Sequence, residues 1–185
     1  MSCTLTTGRS EPLCRDNVGG VKSVYLFSFV QYAYNLIEGV RGVNITSFPD
    51  NTYYKYEVTG GNFSESIKND DNGISYSQSL TFTLFKQDLA TTRELDLMQK
   101  LDLRYIVEYN NGDLKMGGVY NGARLDSYTI DSGSSKGSLN GYNLTFNSEE
   151  EYASPFVSRE IIEGFLLLEN GFNLLLENSV KIILE

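Results

Sequence analysis

The residues of this chain that could take part in chemistry do not combine into a complete catalytic or metal-binding set. The chain has no His, which excludes the Ser-His-Asp and Cys-His arrangements of nucleophilic catalysis. Glu149 and Glu150 are adjacent in a polar stretch, where paired carboxylates are usually solvated. Cys3 and Cys14 lack the further ligands of a zinc site, and residues 70–73 (DDNG) lack the spaced ligands of a calcium loop. The sequence therefore predicts a protein that is not an enzyme and holds no cofactor or metal ion.

A long run of alternating residues, ISYSQSLTFTLF (74–85), gives the clearest structural signal. Alternation with a period of two predicts a strand with one apolar and one polar face. The apolar side would carry Ile74, Tyr76, Leu80, Phe82 and Leu84. The other side would carry only hydroxyl groups, from Ser75, Ser77, Ser79, Thr81 and Thr83. This side is either a wide, smooth functional surface that faces water or an ordinary solvent-exposed face.

One amphipathic helix is predicted at about 88–102, where leucine and methionine recur at helical spacing. The predicted buried stripe consists of Leu95, Met98 and Leu101, widened by Leu97. The N-terminus would be capped either by Thr91, in a capping box with Glu94, or by Asp88. We expect this stripe to pack against the core and to have no cofactor role.

The remaining pattern is that of a mainly β (α+β) protein. Strands are predicted at 21–29, 103–109, 114–120, 124–131 and 142–147. Residues 53–67 read as a hairpin in which Gly60 and Gly61 form the turn. Leu103, Tyr105, Val107 and Tyr109 are expected on one face of their strand, and Tyr142, Leu144 and Phe146 on one face of theirs.

The C-terminal segment changes the pattern and indicates a separate arm. After Pro155 the chain contains the eight-residue repeat LLLENGFN, LLLENSVK and the start of a third copy, IILE. We predict a core domain at 1–157, with an N-terminal arm at about 1–20, and a β-strand arm at 158–185. The arm would pack either on its own domain or, as we prefer, on neighbouring subunits. The candidate subunit-interface residues are Leu166, Leu167, Leu168, Phe172, Leu174, Leu175, Leu176, Val180, Ile182, Ile183 and Leu184.

The composition restricts the classes of partner. The net charge of −9 opposes general nucleic-acid binding, which needs a basic surface. No window reaches the roughly 20 apolar residues of a membrane span. The opening, MSCTLTTGRSEPLCRDN, has no apolar stretch typical of a secretory signal, so we expect folding in a cytoplasm with free thiols.

The whole chain resembles a group of virion proteins from phages and prophages of Bacteroidota, including crAss-like phages. The likeness is carried by CTLTTGRSEPLCRDNVGGVKSVYL (3–26) and by GYNLTFNSEEEYASPFV (141–157) with the apolar arm after it. The order of elements is similar to the phage tail-tube fold, a β-barrel or sandwich with one flanking helix.

This resemblance implies a structural subunit and no catalytic residues. Tail-tube-like subunits associate around an axis, their sheets join into an inner barrel, and DNA passes through it without specific binding. The chain would then form a ring of six or twelve copies in the virion, in the tail or the head–tail neck. Its neighbours would be other neck, tail or portal proteins, with assembly in the bacterial cytoplasm and no membrane. The hydroxyl row from Ser75 to Thr83 would be the candidate lumen wall.

The sequence leaves a second function open, that of a β-sandwich binding module such as a phage fibre or adhesin domain. Tyr53, Tyr54 and Tyr56 form the densest cluster of tyrosines, which could stack on sugars or on partner proteins. Adhesins usually carry a signal peptide and fibres usually show longer repeats, so we prefer the ring subunit.

Overall fold

The structure, a computed structural model, describes residues 18–30, 38–40, 44–47, 52–70, 73–159 and 161–162. The prediction of a mainly β chain with a helix in its middle is confirmed. The elements in chain order are β1 (Val21–Ser28), β2 (Glu38–Val40), β3 (Asn44–Ser47), β4 (Tyr53–Glu57), β5 (Gly60–Asp70), β6 (Gly73–Phe85), α1 (Leu89–Met98), β7 (Leu103–Tyr109), β8 (Leu114–Gly117), β9 (Arg124–Asp131), β10 (Gly141–Glu150) and β11 (Phe156–Val157).

The strands form two sheets. The seven-stranded sheet has the order β2-β3-β11-β8-β7-β1-β4, and the four-stranded sheet has the order β5-β6-β10-β9. Neighbouring strands are antiparallel except β3 and β11, which are parallel. The predicted 74–85 strand is β6, the longest strand described, and it lies between β5 and β10.

The main core lies between the two sheets. Leu80, Phe82 and Leu84 of β6 are buried there, as the alternation predicts, and so are Tyr142, Leu144 and Phe146 of β10. Ile74 and Tyr76 are the exceptions on β6, since Ile74 is 58% exposed and Tyr76 is only half-buried. The register explains this, because β10 ends opposite Tyr76 and the tip of the β5–β6 hairpin extends beyond it.

A second hydrophobic cluster lies on the other face of the seven-stranded sheet. Its buried members are Tyr25, Phe27, Ile45, Ile106, Leu114, Met116, Val119, Val157, Ile161 and Ile162. The prediction that Leu103, Tyr105 and Val107 share a buried face is confirmed, since all three belong to the main core. Ile106, between them, belongs to the second cluster, so β7 is buried on both faces.

Helix α1 begins after Asp88, the second of the two predicted caps. An Asp88 carboxylate oxygen accepts a hydrogen bond from the Thr91 N–H at 2.8 Å. Leu95 and Met98 are buried, as predicted, but Leu97 and Leu101 are 53% and 48% exposed. The predicted helix at about 88–102 is too long, because α1 ends at Met98 and Leu101 lies beyond it, and the predicted stripe is too wide, because Leu97 on α1 does not reach the core.

The predicted hairpin at 53–67 is wrong. β4 and β5 belong to different sheets, and Gly60 and Gly61 lie within β5 rather than in a turn. Val58 and Thr59 carry the chain between the sheets, where their N–H groups donate to Lys22 and Thr83 carbonyls. The true partner of β5 is β6, joined to it by a hairpin that closes at Asp70 and Gly73.

The chain stays packed on the domain as far as Ile162. Phe156 pairs with Lys115, Val157 pairs with Ile45, and Ile161 and Ile162 are buried in the second cluster. The predicted arm interface, from Leu166 to Leu184, and most of the predicted N-terminal arm lie outside the described residues. The division into a core domain and a terminal arm stays a prediction.

Candidate functional site

The outer face of the four-stranded sheet carries small uncharged polar side chains on every strand. Residues opposite each other in an antiparallel sheet lie on the same face. Ser79 of β6 lies opposite Ser64 of β5 and Asn147 of β10, while Thr145 of β10 lies opposite Ser127 of β9. We call this surface the polar face. Its members are Asn62, Ser64, Ser66, Ser75, Ser77, Ser79, Thr81, Thr83, Ser127, Thr129, Asn143, Thr145 and Asn147.

The five residues predicted to face a lumen form the central row of the polar face. Thr81 is exposed, whereas Ser75, Ser77, Ser79 and Thr83 are half-buried. Their partial burial follows from the position of β6, whose neighbours on both sides cover short side chains. The structure thus brings these hydroxyl groups together with those of three further strands. Their role in a lumen stays a prediction.

Side-chain hydrogen bonds link β6 and β10 across part of the polar face. The Thr83 hydroxyl donates to the Asn143 side-chain carbonyl at 2.7 Å. The hydroxyls of Thr81 and Thr145 lie 3.4 Å apart, within reach of a weak hydrogen bond. Short side chains that bond to each other project little, so the surface is smooth as well as polar.

Charged side chains lie on the same face, and the two cations among them, Lys68 and Arg124, are each paired with a carboxylate. Lys68 of β5 and Glu149 of β10 form an ion pair near the hairpin end of the sheet. At the start of β9, the Arg124 Nε donates to the Asp102 carboxylate at 2.6 Å, which raises the pKa of Arg124. Exposed pairs of this kind contribute little to stability. Because each is paired with a carboxylate, neither Lys68 nor Arg124 presents an unpaired positive charge to a phosphate group.

A buried polar network beneath one end of the polar face ties the two sheets together. The side-chain carbonyl of Gln78 accepts from the Ser148 hydroxyl at 3.0 Å and from the Gly118 N–H at 3.2 Å. The Gln78 amide donates to Glu65 at 3.2 Å, and Glu65 also accepts from the Ser154 N–H at 2.6 Å. Because buried polar groups are costly when unpaired, this network fixes how the β8–β9 turn and the chain after β10 lie on the sheet.

Glu150 completes this network at the end of β10. Its two carboxylate oxygens accept from the backbone N–H groups of Tyr120 and Asn121 at 3.0 and 3.1 Å. Burial raises the pKa of Glu150, and the two backbone hydrogen bonds oppose that rise only in part. Since the carboxylate is enclosed and already bonded, it has the character of a structural anchor rather than of a general base.

The sequence pattern predicted neither the breadth of the polar face nor the buried network. Asn143, Thr145 and Asn147 alternate with the predicted inward residues of β10, so the period-two signal for them was present. The same alternation continues inward through Ser148 and Glu150, which are polar but buried. The expectation that Glu150 is solvated with Glu149 is therefore wrong, because Glu150 is 2% exposed and the register places it inward.

A comparison of the chain with protein-family models, with curated proteins and with solved structures gave no match. Among the residues that the structure describes, no group of His, Cys, Asp and Glu could hold a metal ion. Within the same residues, no helix is long and apolar enough to cross a membrane.

A groove beside the outer edge of β5 is the second candidate site. Its volume is about 350 Å³, and it combines the aromatic rings of Phe63, Tyr109 and Phe156 with polar groups that include Asp113 and Lys115. The Lys115 ammonium lies 5.1 Å from the Phe156 ring centre. The tyrosine cluster of β4 does not form one surface, because Tyr53 packs against the second cluster and Tyr56 against the main core.

Proposed function

We propose that this chain is a structural subunit of a ring in a phage tail or head–tail neck, with its polar face lining a passage for DNA. The observation that carries the proposal is the polar face itself, a surface of small hydroxyl and amide groups across all four strands. The rows through Thr81 and Thr83 carry no charged side chain, whereas Lys68, Glu149 and Arg124 lie in the rows through Ser75, Ser77 and Ser79.

The edges of the four-stranded sheet support assembly into a closed ring. In the described part of the chain, β5 pairs only with β6, and β9 pairs only with β10. The outer edges of β5 and β9 therefore offer unpaired backbone groups at opposite sides of the same sheet. If β9 of one copy pairs with β5 of the next, the polar faces join into one continuous inner wall.

The electrostatics support passage of DNA rather than binding. A protein that grips DNA neutralises phosphates with lysine and arginine side chains. The polar face places no such cation at its centre, and the net charge of −9 repels a polyanion. Hydroxyl and amide groups exchange hydrogen bonds with water readily, so a hydrated strand would slide past without a fixed contact.

The placement in a phage virion rests on the resemblance of residues 3–26 and 141–157 to virion proteins of Bacteroidota phages. On this proposal the ring contains six or twelve copies and contacts other neck, tail or portal proteins. The C-terminal segment would connect it to neighbouring subunits. The tail-tube-like arrangement is part of the same proposal.

Native mass spectrometry and negative-stain imaging of the purified full-length protein test this function. We expect a closed oligomer of defined stoichiometry with a central hole wide enough for duplex DNA, which is about 20 Å across. The measurement should be repeated from low to high protein concentration and in low and moderate salt. A chain that stays monomeric throughout, and that is absent from purified virions, would contradict the proposal.

A binding module is the second candidate function, and the groove beside β5 is the observation that favours it. Aromatic rings next to a carboxylate are typical of sites for polar rings such as sugars. A glycan array with the full-length protein tests this candidate. Hits that disappear in a Phe63→Ala variant but persist in a Tyr54→Ala variant would support binding in the groove, whereas an array without hits would oppose it.

A further inference from the structure

An apolar groove remains open between α1 and the seven-stranded sheet. It has a volume of about 150 Å³ and lies between the helix and the ends of β1, β4 and β7. Three of its apolar side chains are largely exposed, with Tyr54 at 56%, Leu97 at 53% and Leu101 at 48%. Leu97 and Leu101 are the residues that helical spacing places in a buried stripe. Clustered apolar residues left open in this way mark an interaction surface.

The groove runs beside β4, the edge strand of the seven-stranded sheet in the described part of the chain. β4 is the last strand of the seven-stranded sheet, and within the described ranges it pairs only with β1. Alternate residues of such a strand direct their N–H and C=O groups away from the sheet. Tyr54, on the groove side of β4, connects the open edge to the apolar helix surface. An extended apolar segment could thus pair with β4 and place alternate side chains in the groove.

The sequence beyond the last described residue contains apolar runs that could supply such a segment. Three aliphatic runs, at residues 166–168, 174–176 and 182–184, recur every eight residues. Each three-residue run, taken with one residue on either side, has the same length as β4, which has five residues. Consecutive aliphatic residues point to both faces of a strand, so one face could fill the groove. The 23 residues after Ile162 span up to about 75 Å when extended, enough to reach another molecule.

The position of the last described residue, Ile162, favours a second copy of the chain as the source of the segment that fills the groove. Ile162 packs in the second cluster, on the face of the seven-stranded sheet opposite the side that α1 covers. We propose that an aliphatic run from the C-terminal segment of a second copy adds as a strand beside β4 and fills the groove at Leu97. This inference rests on the proposed function, because it names the contact by which neighbouring subunits of the ring are locked together.

Disulfide trapping between two populations of full-length protein tests the contact. Both populations carry Cys3→Ser and Cys14→Ser, one adds Leu97→Cys with one affinity tag, and the other adds Leu175→Cys with a second tag. Versions with Leu167→Cys and Ile183→Cys cover the other two runs. Because a disulfide requires Cα atoms within about 7 Å, oxidation reports a specific contact. We expect a product that carries both tags for at least one run.

The matched control places the groove cysteine one residue away, as Asp96→Cys, which is exposed but does not line the groove. We expect at least a tenfold lower yield of the two-tag product from this control. The inference is overturned if none of the three runs gives the product. It is also overturned if a chain carrying both cysteines forms the bond only within itself.

A second pair of variants separates this inference from the ring proposal. Leu97→Lys should weaken assembly of the full-length protein at least tenfold in protein concentration, while Asp96→Lys should leave it unchanged. Closed rings without the cross-link would contradict the inference and leave the ring proposal standing. A cross-linked product without any closed ring would support the inference and contradict the ring proposal.

Discussion

The two sheets of this protein differ in the burial of their outer faces, because that of the seven-stranded sheet is largely buried and that of the four-stranded sheet is polar and partly exposed. In β7 of the seven-stranded sheet, the adjacent residues Ile106 and Val107 point to opposite faces and are both fully buried. In β10 of the four-stranded sheet, Phe146 is fully buried while its neighbour Thr145 lies on the polar face. The difference teaches that, among the described residues, the outer face of the seven-stranded sheet is covered by apolar packing and the polar face is not. The polar face is the one that we propose to line a passage.

The largest effect should come from the buried side of β10. Phe146 stacks on Phe82, with ring centres 5.8 Å apart, in the middle of the main core. We expect Phe146→Ala to lower the free energy of unfolding by about 3–5 kcal/mol through lost burial and a cavity. Thr145→Ala, one residue away on the polar face, should cost less than about 1 kcal/mol. Urea unfolding of both variants checks this, and similar losses would contradict the one-sided structure of the sheet.

The matching test in β7 should show no such asymmetry. Ile106→Ala and Val107→Ala each remove a fully buried aliphatic side chain, one from the second cluster and one from the main core. We expect each variant to lose about 2–4 kcal/mol of unfolding free energy, with the larger loss at Ile106. The same urea measurement applies. A near-neutral Ile106→Ala would mean that the second cluster contributes little and that the two sheets differ less than proposed.

A buried carboxylate on the second face of the seven-stranded sheet gives a smaller, pH-dependent effect. Glu108 is 3% exposed and accepts hydrogen bonds from the Lys22 ammonium at 2.8 Å and from the Tyr25 hydroxyl at 3.0 Å. Burial alone would raise the pKa of Glu108, but these bonds and the charges of Lys22 and Arg159 hold it below its ordinary value of 4.5. A lowered pKa in the folded state stabilises the fold above pH 4.5, and this contribution is lost as the pH falls through the folded-state pKa.

Glu108→Gln should therefore cost about 1–3 kcal/mol at pH 7 and progressively less below pH 4.5. Glu57→Gln is the matched control, because Glu57 is an exposed partner of Lys55 on the neighbouring edge of the same sheet. Urea unfolding of both variants and the parent protein at pH 7 and pH 4 measures the difference. A loss at Glu108 that is the same at both pH values would contradict the assignment of the pKa.

The smallest expected effect is at Tyr105, whose ring is fully buried in the main core. Its hydroxyl lies near Ser148 but makes no hydrogen bond of good geometry among the described residues, so burial costs this group its contact with water. We expect Tyr105→Phe to leave stability unchanged or to increase it by up to about 1 kcal/mol. Thermal unfolding checks the sign. A clear loss would show that the hydroxyl is bonded and belongs to the network around Gln78.

The alternation of side chains predicted the main-core faces of β6, β7 and β10, because strong periodicity of apolar residues depends only on local geometry. It did not predict which strands pair. β4 and β5 are adjacent in sequence but join different sheets, and a Gly-Gly pair that is typical of a turn lies inside a strand instead. Pairing is decided by long-range packing, which a local pattern does not contain.

The candidate site was predicted in the same partial way. One row of the polar face, from Ser75 to Thr83, is visible in the sequence as a run of hydroxyl residues. The other rows become part of the same surface only through the register of β5, β10 and β9. Gln78, Ser148 and Glu150 show the limit of the pattern, since they are polar residues at inward positions and are satisfied by partners distant in sequence.

Site-directed gold labelling of the assembled protein tests the central claim most directly. A full-length chain with Cys3→Ser, Cys14→Ser and Thr81→Cys is labelled with a small maleimide-gold particle and imaged along the axis of the ring. Arg93→Cys, on the exposed surface of α1, is the matched control. We predict gold inside the central hole for Thr81→Cys and at the periphery for Arg93→Cys. Gold at the outer rim for Thr81→Cys would contradict the account, because the polar face would then point away from the passage.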